Sequence, residues 1–319
     1  MTAILAVTVP FFALVLAGYL AGWRHVLPES AIPGLNAFVL YFALPCMLFR
    51  FGLVTPIGDA LNPTVIAVYL GCALLMVFVT IAFSFDEVVG LKDASFGALV
   101  TAFPNTGFMG VPLLAALFGS AVVGPMITTI LIDMFVTSSL CIALAQSGSD
   151  AGGARAAALR SLRGAVSNPL PWAIALGGAL GALDWRPTGP IDSVIKMLSD
   201  AATPVALFTI GAVLWRAGRH AHTRTPLKRY VPQALAKVLL HPALVLAVAL
   251  AARAVGAPLS DLQVLAITLT AALPSAANVA MLAERFGADN GRIARIILTS
   301  TLLSFVTFTA LASWFGAKS

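Results

Sequence analysis

Two short segments with proline and asparagine inside apolar stretches are the residues of this sequence best suited to chemistry. They are Phe103-Pro104-Asn105-Thr106-Gly107 and Leu273-Pro274-Ser275-Ala276-Ala277-Asn278. Proline removes a backbone donor and clashes with the carbonyl group four residues earlier, so each segment predicts a break in a helix. Because freed backbone groups cannot face lipid, such breaks in an apolar protein imply a cavity lined by protein or water.

The chemistry that a matched pair of breaks could perform is the binding of a small organic anion. A helix that resumes after a break presents unpaired amides and partial positive charge, which suit a carboxylate. Asparagine can donate and accept hydrogen bonds, threonine adds a hydroxyl group, and glycine permits close approach of the backbone. The predicted site residues are Pro104, Asn105, Thr106, Gly107, Pro274, Ser275 and Asn278. The alternative is that the prolines only kink two helices and that the asparagines pack between them.

The elements that carry these segments belong to an all-α membrane protein. The chain has 319 residues, of which 60% are hydrophobic and 10% are charged, whereas roughly a quarter are charged in soluble domains. A span needs about 20 apolar residues, so ten spans would use most of the chain. The net charge of +6 then reports topology rather than nucleic-acid binding. The three cysteines have no metal-ligand spacing, and no cofactor is expected.

Apolar runs predict ten membrane helices, of which the fourth and ninth contain the two breaks. One long run is divided at Phe118-Gly119-Ser120 into the fourth and fifth helices. The predicted spans cover about 2–23, 30–49, 60–85, 94–118, 120–145, 164–183, 191–215, 230–252, 262–283 and 296–317.

The distribution of lysine and arginine predicts the orientation of these helices. With the N-terminus outside, the inner loops hold 13 of the 19 basic residues and the outer segments hold five. Short cytoplasmic loops are enriched in basic residues, so both termini are expected on the periplasmic side of a bacterial inner membrane.

An internal repeat relates the two halves of the chain. The residues that recur at a constant offset of 159 are Pro10, Gly18, Gly22, Pro45, Leu48, Phe49 and Gly52, matched by Pro169, Gly177, Gly181, Pro204, Leu207, Phe208 and Gly211. Further along, Pro104 matches Pro274, and Phe118-Gly119 matches Phe286-Gly287. Five helices are an odd number, so repeats over 1–145 and 167–319 would enter the membrane from opposite sides, as in secondary transporters. The segment 146–166 is the predicted cytoplasmic linker.

Three titratable residues inside predicted spans are candidates for ion coupling or charge compensation. Lys237 costs roughly 2.5–3.5 kcal/mol at a helix centre, so it either offsets half-helix carbonyl groups, substitutes for a coupling cation, or extends to the interface. Asp133 either exchanges a proton or is paired with Lys237 or with hydroxyl groups. His241 either relays protons or packs as a hydrogen-bonded side chain. The coupling ions considered are H⁺ and Na⁺.

The sequence argues against some alternative functions and leaves others open. The sequence contains no His-Glu-x-x-His, no Gly-x-Ser-x-Gly and no phosphate-binding loop, so neither an enzyme nor an ATP-driven pump is expected. A membrane sensor that binds the same anion without transporting it, and a passive channel, both stay open.

The segment Phe103-Pro104-Asn105-Thr106-Gly107-Phe108-Met109-Gly110-Val111-Pro112-Leu113-Leu114 resembles the fourth-helix signature of the auxin efflux carrier family. That family includes plant auxin exporters and bacterial permeases for malonate and malate, and the resemblance covers essentially the whole chain. It implies ten helices in two inverted repeats, with helices 4 and 9 crossing at their prolines. Helices 1, 2, 6 and 7 would form a scaffold, and helices 3–5 and 8–10 a transport domain.

The resemblance also implies a function and a role for one asparagine. In plant members the asparagine after the fourth-helix proline contacts the substrate carboxylate, and Asn105 matches that position. Asn278 matches less well, because Ser275 directly follows the ninth-helix proline. The implied function is secondary transport of a small mono- or dicarboxylate by alternating access, and the family is compatible with a homodimer through the scaffold helices.

Overall fold

A computed structural model describes residues 2–55, 58, 61–147, 159, 163–164, 166–219 and 225–316. Within these residues the secondary structure is helical, and no strand is formed. The helices are α1 Thr2–Trp23, α2 Ala31–Val54, α3 Pro63–Ser84, α4 Leu91–Ala102, α5 Thr106–Phe118, α6 Ser120–Ala145, α7 Pro169–Ala182, α8 Gly189–Arg219, α9 Val231–Ala254, α10 Asp261–Ala272, α11 Asn278–Arg285 and α12 Asn290–Gly316. Most of the predicted linker lies outside the described residues.

Many of these helices are long and apolar enough to cross a membrane. In the described part of the chain, seven meet that standard: α1, α2, α3, α6, α8, α9 and α12. Three shorter apolar helices, α5, α7 and α10, accompany them. The chain is therefore a multi-pass membrane protein, as its composition predicts.

Two helices begin earlier than the sequence predicted, since their first turns carry charge. α4 begins at Leu91 rather than near 94, and α12 begins at Asn290 rather than near 296. The predicted loop residue Arg292 thus lies inside α12, where it is only 2% exposed. Its guanidinium group donates to the carbonyl oxygens of Arg229 at 3.0 Å and Asp93 at 3.3 Å. These partly buried acceptors satisfy the Arg292 side chain within the first turn of α12.

Polar caps at several membrane helices explain where those helices start. The Asn62 side chain accepts hydrogen bonds from the backbone amides at the start of α3, and Asn168 does the same for α7. Ser260 and Gln263 form a reciprocal capping box at α10. Such caps satisfy amides that have no partner within the helix.

Three of the long helices contain a turn of π-helix, which the sequence did not predict. These turns are Val39–Ala43 in α2, Asp133–Thr137 in α6 and Ala236–Leu240 in α9. A π turn inserts one extra residue and is frequent at functional sites. Asp133 and Lys237 both lie in such turns.

The packing of α1 on α8 reproduces the packing of α7 on α2. Gly18 of α1 lies so close to the carbonyl group of Phe208 that a Cβ atom would overlap it, and Gly177 of α7 lies in the same way against Phe49. Gly18 and Gly177 are equivalent in the sequence repeat, and so are Phe49 and Phe208. The same glycine-to-carbonyl contact therefore occurs once between α1 and α8 and once between α7 and α2.

A second pair of glycine contacts follows the same rule. Gly52 of α2 abuts the Ile174 carbonyl group on α7, and its repeat equivalent Gly211 abuts the Val15 carbonyl group on α1. Val15 and Ile174 are themselves separated by the offset of 159. The repeat found in the sequence thus has a counterpart in backbone contacts.

Charged residues gather at one end of the bundle, which we name the basic end. It contains Arg163, Arg216, Arg229, Arg285 and Arg292. At the other end, Arg50 pairs with Asp192 at 2.9 Å, so Arg50 has a specific partner rather than only an interfacial position.

Candidate functional site

The two predicted breaks meet in space and bond to each other through their backbones. Pro104 and Ser275 form an isolated antiparallel bridge between the segments that separate α4 from α5 and α10 from α11. The Asn105 amide donates to the Pro274 carbonyl oxygen at 2.8 Å, and the Ala276 amide donates to that of Phe103 at 3.0 Å. Groups freed by the breaks therefore satisfy one another. We call this region the crossing.

The local reason for the crossing is the residue before each proline. Steric conflict with proline disfavours the helical conformation at the preceding residue and favours an extended one. Phe103 has φ −97° and ψ 102°, and Leu273 has φ −60° and ψ 155°. Both residues are extended, so each segment leaves its helix at this point and continues in an extended conformation beside the other segment.

A cavity of about 540 Å³ adjoins the crossing. Pro104, Asn105, Thr106 and Gly107 line it from the first break, and Asn278 lines it from the second. Asn105 is only 4% exposed, yet its side chain makes no hydrogen bond to a described residue. A buried amide group without a protein partner is costly, so Asn105 is available to a ligand in the cavity.

Backbone amides near Asn105 provide further hydrogen-bond donors to the cavity. The amides of Gly107 and Phe108, in the first turn of α5, have no backbone acceptor among the described residues, and both residues line the cavity. The amides of Met109 and Gly110 instead donate to the Asn105 carbonyl oxygen. A buried amide side chain beside two unpaired amides at a helix start can hold a carboxylate.

Two predicted site residues lie behind the cavity rather than on its wall. Pro274 contributes its carbonyl oxygen to the crossing, and Ser275 is 1% exposed with its amide donating to Ser300 Oγ at 3.2 Å. The Ser275 hydroxyl oxygen is buried without a partner in the described part of the chain. Both residues build the crossing, and neither lines the cavity.

The sequence analysis missed three polar residues that line the cavity: Ser138, Asn168 and Arg285. Arg285 was counted only as a topological charge. It lies seven residues after Asn278 on α11, and residues seven apart share a helix face. That spacing is the signal that could have found it.

A second polar cluster lies buried near the π turns of α6 and α9. Asp133 is 0% exposed. Its carboxylate accepts hydrogen bonds from the Tyr69 hydroxyl at 3.0 Å and the Thr137 hydroxyl at 3.2 Å. Of the predicted alternatives for its partner, hydroxyl groups rather than Lys237 hold this carboxylate. No ion pair within 4.0 Å joins Asp133 to Lys237 in the described residues.

Lys237 is buried inside the protein and points toward the end of α10. It is 0% exposed, and its Nζ donates to the Ala271 carbonyl oxygen at 2.9 Å and lies 3.1 Å from His241 Nδ1. The C-terminal carbonyl groups of a helix carry partial negative charge, which a cation stabilises. His241 is also 0% exposed, and its Nε2 has no partner among the described residues. An arrangement with Lys237 extended to the interface does not occur.

Comparison with known proteins identifies the family of the chain. A family model described as "Membrane transport protein" matches residues 3–312, which is nearly the whole chain. The chain belongs to this membrane transport family. The auxin efflux carrier resemblance predicted from Phe103–Leu114 is thereby confirmed.

Individual relatives of the transport family cover almost the full length. The chain is 28% identical to a Rhizobium meliloti protein named "Putative malonate transporter", over 98% of the chain and 95% of that protein. It is 26% identical to the "Uncharacterized transporter YfdV" of Escherichia coli K12, over 95% and 94%. A Methanothermobacter thermautotrophicus protein named "Uncharacterized transporter" is 28% identical over 92% of each chain. The family and these relatives are transporters rather than enzymes.

Proposed function

We propose that the protein is a secondary active transporter of a small organic anion, with a mono- or dicarboxylate of the malonate or malate type as substrate. The observation that carries this proposal is the crossing, where two helices break against each other beside a cavity. The Asn105 side-chain amide group lines that cavity and has no hydrogen-bond partner among the described residues. Family membership supports transport, and the name of the Rhizobium meliloti relative supports malonate as the first substrate to test.

The proposed architecture is ten membrane helices in two inverted five-helix repeats. In this arrangement α4 with α5 is the broken fourth helix, and α10 with α11 is the broken ninth. The doubled glycine contacts at the offset of 159 support the repeat. Each broken helix is followed by a glycine with a positive φ angle after a phenylalanine, Gly119 after Phe118 and Gly287 after Phe286, which also supports the repeat.

The proposed mechanism is alternating access by a transport domain that moves against a scaffold. The scaffold consists of α1, α2, α7 and α8, whose glycine contacts bring backbones together and leave little room for deformation. The crossing belongs to the moving part. The cavity beside it continues toward the basic end, since a second cavity of about 480 Å³ shares Leu40, Gly164, Asn168 and Arg285 with it.

The proposed orientation puts the basic end in the cytoplasm, the termini in the periplasm and the chain in a bacterial inner membrane. The positive-inside rule supports this choice. A cavity that continues toward the basic end then corresponds to an inward-open state. A homodimer through the scaffold is compatible with the family and stays a proposal.

For coupling, we propose H⁺ rather than Na⁺, with Asp133 as the carboxylate that exchanges the proton. Asp133 is buried and bonded to hydroxyl groups, while the Lys237 ammonium group occupies the polar space between His241 and the end of α10. His241 Nε2 has no described partner and could pass a proton through the same cluster. The cluster involves no bound metal in this proposal.

The proposal is tested by counterflow in proteoliposomes loaded with unlabelled malonate. A carrier accumulates labelled malonate transiently against its gradient, whereas a passive channel equilibrates it and a sensor moves none. A control variant of the same protein is Asn62→Ala, which removes a helix cap away from the cavity. It should lower the stability of the protein without changing the KM for malonate. Absence of counterflow with malonate, malate and a panel of monocarboxylates would contradict the transport proposal.

A further inference from the structure

Arg285 stands at the boundary between the two cavities of the basic end. It lines both the deeper cavity beside the crossing and the cavity of about 480 Å³ that also contains Arg163, Ser167 and Asn168. A ligand that moves from the outer cavity into the deeper one passes Arg285 on its way toward Asn105.

We propose that Arg285 holds the end of the substrate that lies away from the crossing, and so determines whether substrates with one or two carboxylates are preferred. This inference rests on the proposed function, because it assigns a specificity residue to the same site. In this arrangement the Asn105 side of the cavity binds one carboxylate and Arg285 binds the other.

The two anchors, Asn105 and Arg285, line one cavity of about 540 Å³. Asn278 and Arg285 are seven residues apart on one helix face, which corresponds to about 10 Å of axial rise. An extended arginine side chain that leans toward the start of its helix covers much of this rise and approaches Asn278, which lines the same cavity. The planar guanidinium group matches a carboxylate with two parallel hydrogen bonds.

The charge of Arg285 is available for this role. The neighbouring carboxylate, Glu284, lines a different cavity and faces Arg216, whose Nη2 lies 3.7 Å from Glu284 Oε2. Within the described residues, no carboxylate forms an ion pair with Arg285. Two adjacent residues of α11 thus point to different cavities, and only the acidic one has its charge matched by protein.

A purely structural role would explain some of the same features. A cation at the last turn of a helix is favourable, and arginine at this end contributes to the positive-inside count. Lysine could satisfy both requirements, and neither depends on which ligand is bound. The two roles therefore differ in ligand preference rather than in folding.

The experiment compares the affinity of purified protein for malonate and for monomethyl malonate, which has similar size but one carboxylate. The wild-type protein is expected to prefer malonate. Arg285→Gln should weaken malonate binding about tenfold, as expected for a lost charge-assisted contact, and leave monomethyl malonate within about twofold. The matched control is Arg219→Gln, an exposed arginine at the same end that lies over Trp215 and outside both cavities.

The outcomes separate this inference from the proposed function. If wild-type protein binds malonate and Arg285→Gln retains both the affinity and the preference, as Arg219→Gln should, the role of Arg285 is overturned and the function stands. If wild-type protein binds no carboxylate, the proposed function itself fails. Should Arg285→Gln not fold, Arg285→Lys keeps the charge without the planar fork, and unchanged malonate affinity in that variant overturns the inference equally.

Discussion

The two halves of this protein match closely where helices pack and differ where the cavity is formed. Where α1 packs on α8 and α7 packs on α2, Gly18 and Gly177 approach equivalent carbonyl groups, so both positions have glycine for the same steric reason. At the crossing both copies have kept the proline, but Asn105 follows one and Ser275 follows the other. The repeat therefore supplies the backbone geometry, and individual side chains supply the chemistry.

The two sides of the crossing show how this asymmetry arises. Asn105 lines the cavity beside the start of α5, whereas Ser275 turns into the protein and its amide bonds to Ser300. The second break contributes polar side chains only later along α11, through Asn278 and Arg285. One break thus offers its ligand-binding groups at the crossing, and the other offers them toward the basic end.

The largest effect on stability is expected from substitutions in the two equivalent glycine contacts between helices. Gly18→Ala and Gly177→Ala each place a methyl group onto a backbone carbonyl group, so both should lower the free energy of unfolding by about 3 kcal/mol. Thermal unfolding of detergent-purified protein measures the effect. Gly71→Ala is the control, because nothing lies within 4 Å of its Cβ position. Strongly unequal losses in the two variants would break the proposed equivalence.

The next effect tests the asymmetric part of the comparison. Asn105→Ala should reduce malonate uptake about tenfold or more, because removing a buried hydrogen-bond partner costs about 1–3 kcal/mol. Asn278→Ala should cost less, since Asn278 is half-buried and stands away from the unpaired amides of α5. Initial uptake rates normalised to protein in the membrane measure both. Wild-type uptake in Asn105→Ala would contradict the site.

Substitution of Asp133 is expected to change the response of transport to a pH gradient and to leave substrate exchange unchanged. Asp133→Asn keeps the size of the side chain but removes the group that exchanges a proton, so flux driven by a pH gradient should be lost while malonate exchange persists. The control is Asp200→Asn, an exposed aspartate paired with Lys196. Unchanged pH-driven flux in Asp133→Asn would assign Asp133 a structural role only.

The smallest effect, on thermal stability, is expected at Asp86, where the two halves of the chain meet at the basic end. The backbone amide of Val89, followed by that of Val88 and by the Arg229 guanidinium group, holds the pKa of the exposed Asp86 below its ordinary value. A lowered pKa stabilises the folded protein above the unfolded-state value of about 3.9, and this gain is lost as the pH falls through the folded-state pKa.

Asp86→Asn should therefore lower the Tm slightly at neutral pH, and the difference from wild type should shrink as the pH falls toward about 3. A Tm difference that is constant over this range would show that the charge of Asp86 does not stabilise the loop.

The fold was predictable to the extent that local physics forces it. Proline excludes a regular helix at Pro104 and Pro274 whatever surrounds it, and apolar runs of membrane length indicate helices without reference to partners. The fifth span, predicted from 120 to 145, agrees with the observed α6. The starts of α4 and α12 were wrong by several residues. For α12, the acceptors that satisfy Arg292 are contributed by distant segments.

The candidate site was predictable in part, and the errors have two causes. Asn105 and Gly107 were predicted because they follow a break directly, and both line the cavity, whereas Ser275 was also predicted but faces the interior and does not line it. Which way a side chain turns at a break depends on the neighbouring helix, and no neighbour is visible in a single sequence. Arg285 was missed for a different reason, because its seven-residue spacing from Asn278 on one helix face was not used.

The sequence by itself determined that this protein is a repeated, helical membrane protein with two helices broken at matched prolines, because hydrophobic length and the chemistry of proline act locally. Only the tertiary structure decided that the breaks bond to each other, that Asp133 is held by hydroxyl groups rather than by Lys237, and that Arg285 shares a cavity with Asn105. Those features depend on the distances between helices far apart in the chain, and packing alone sets such distances.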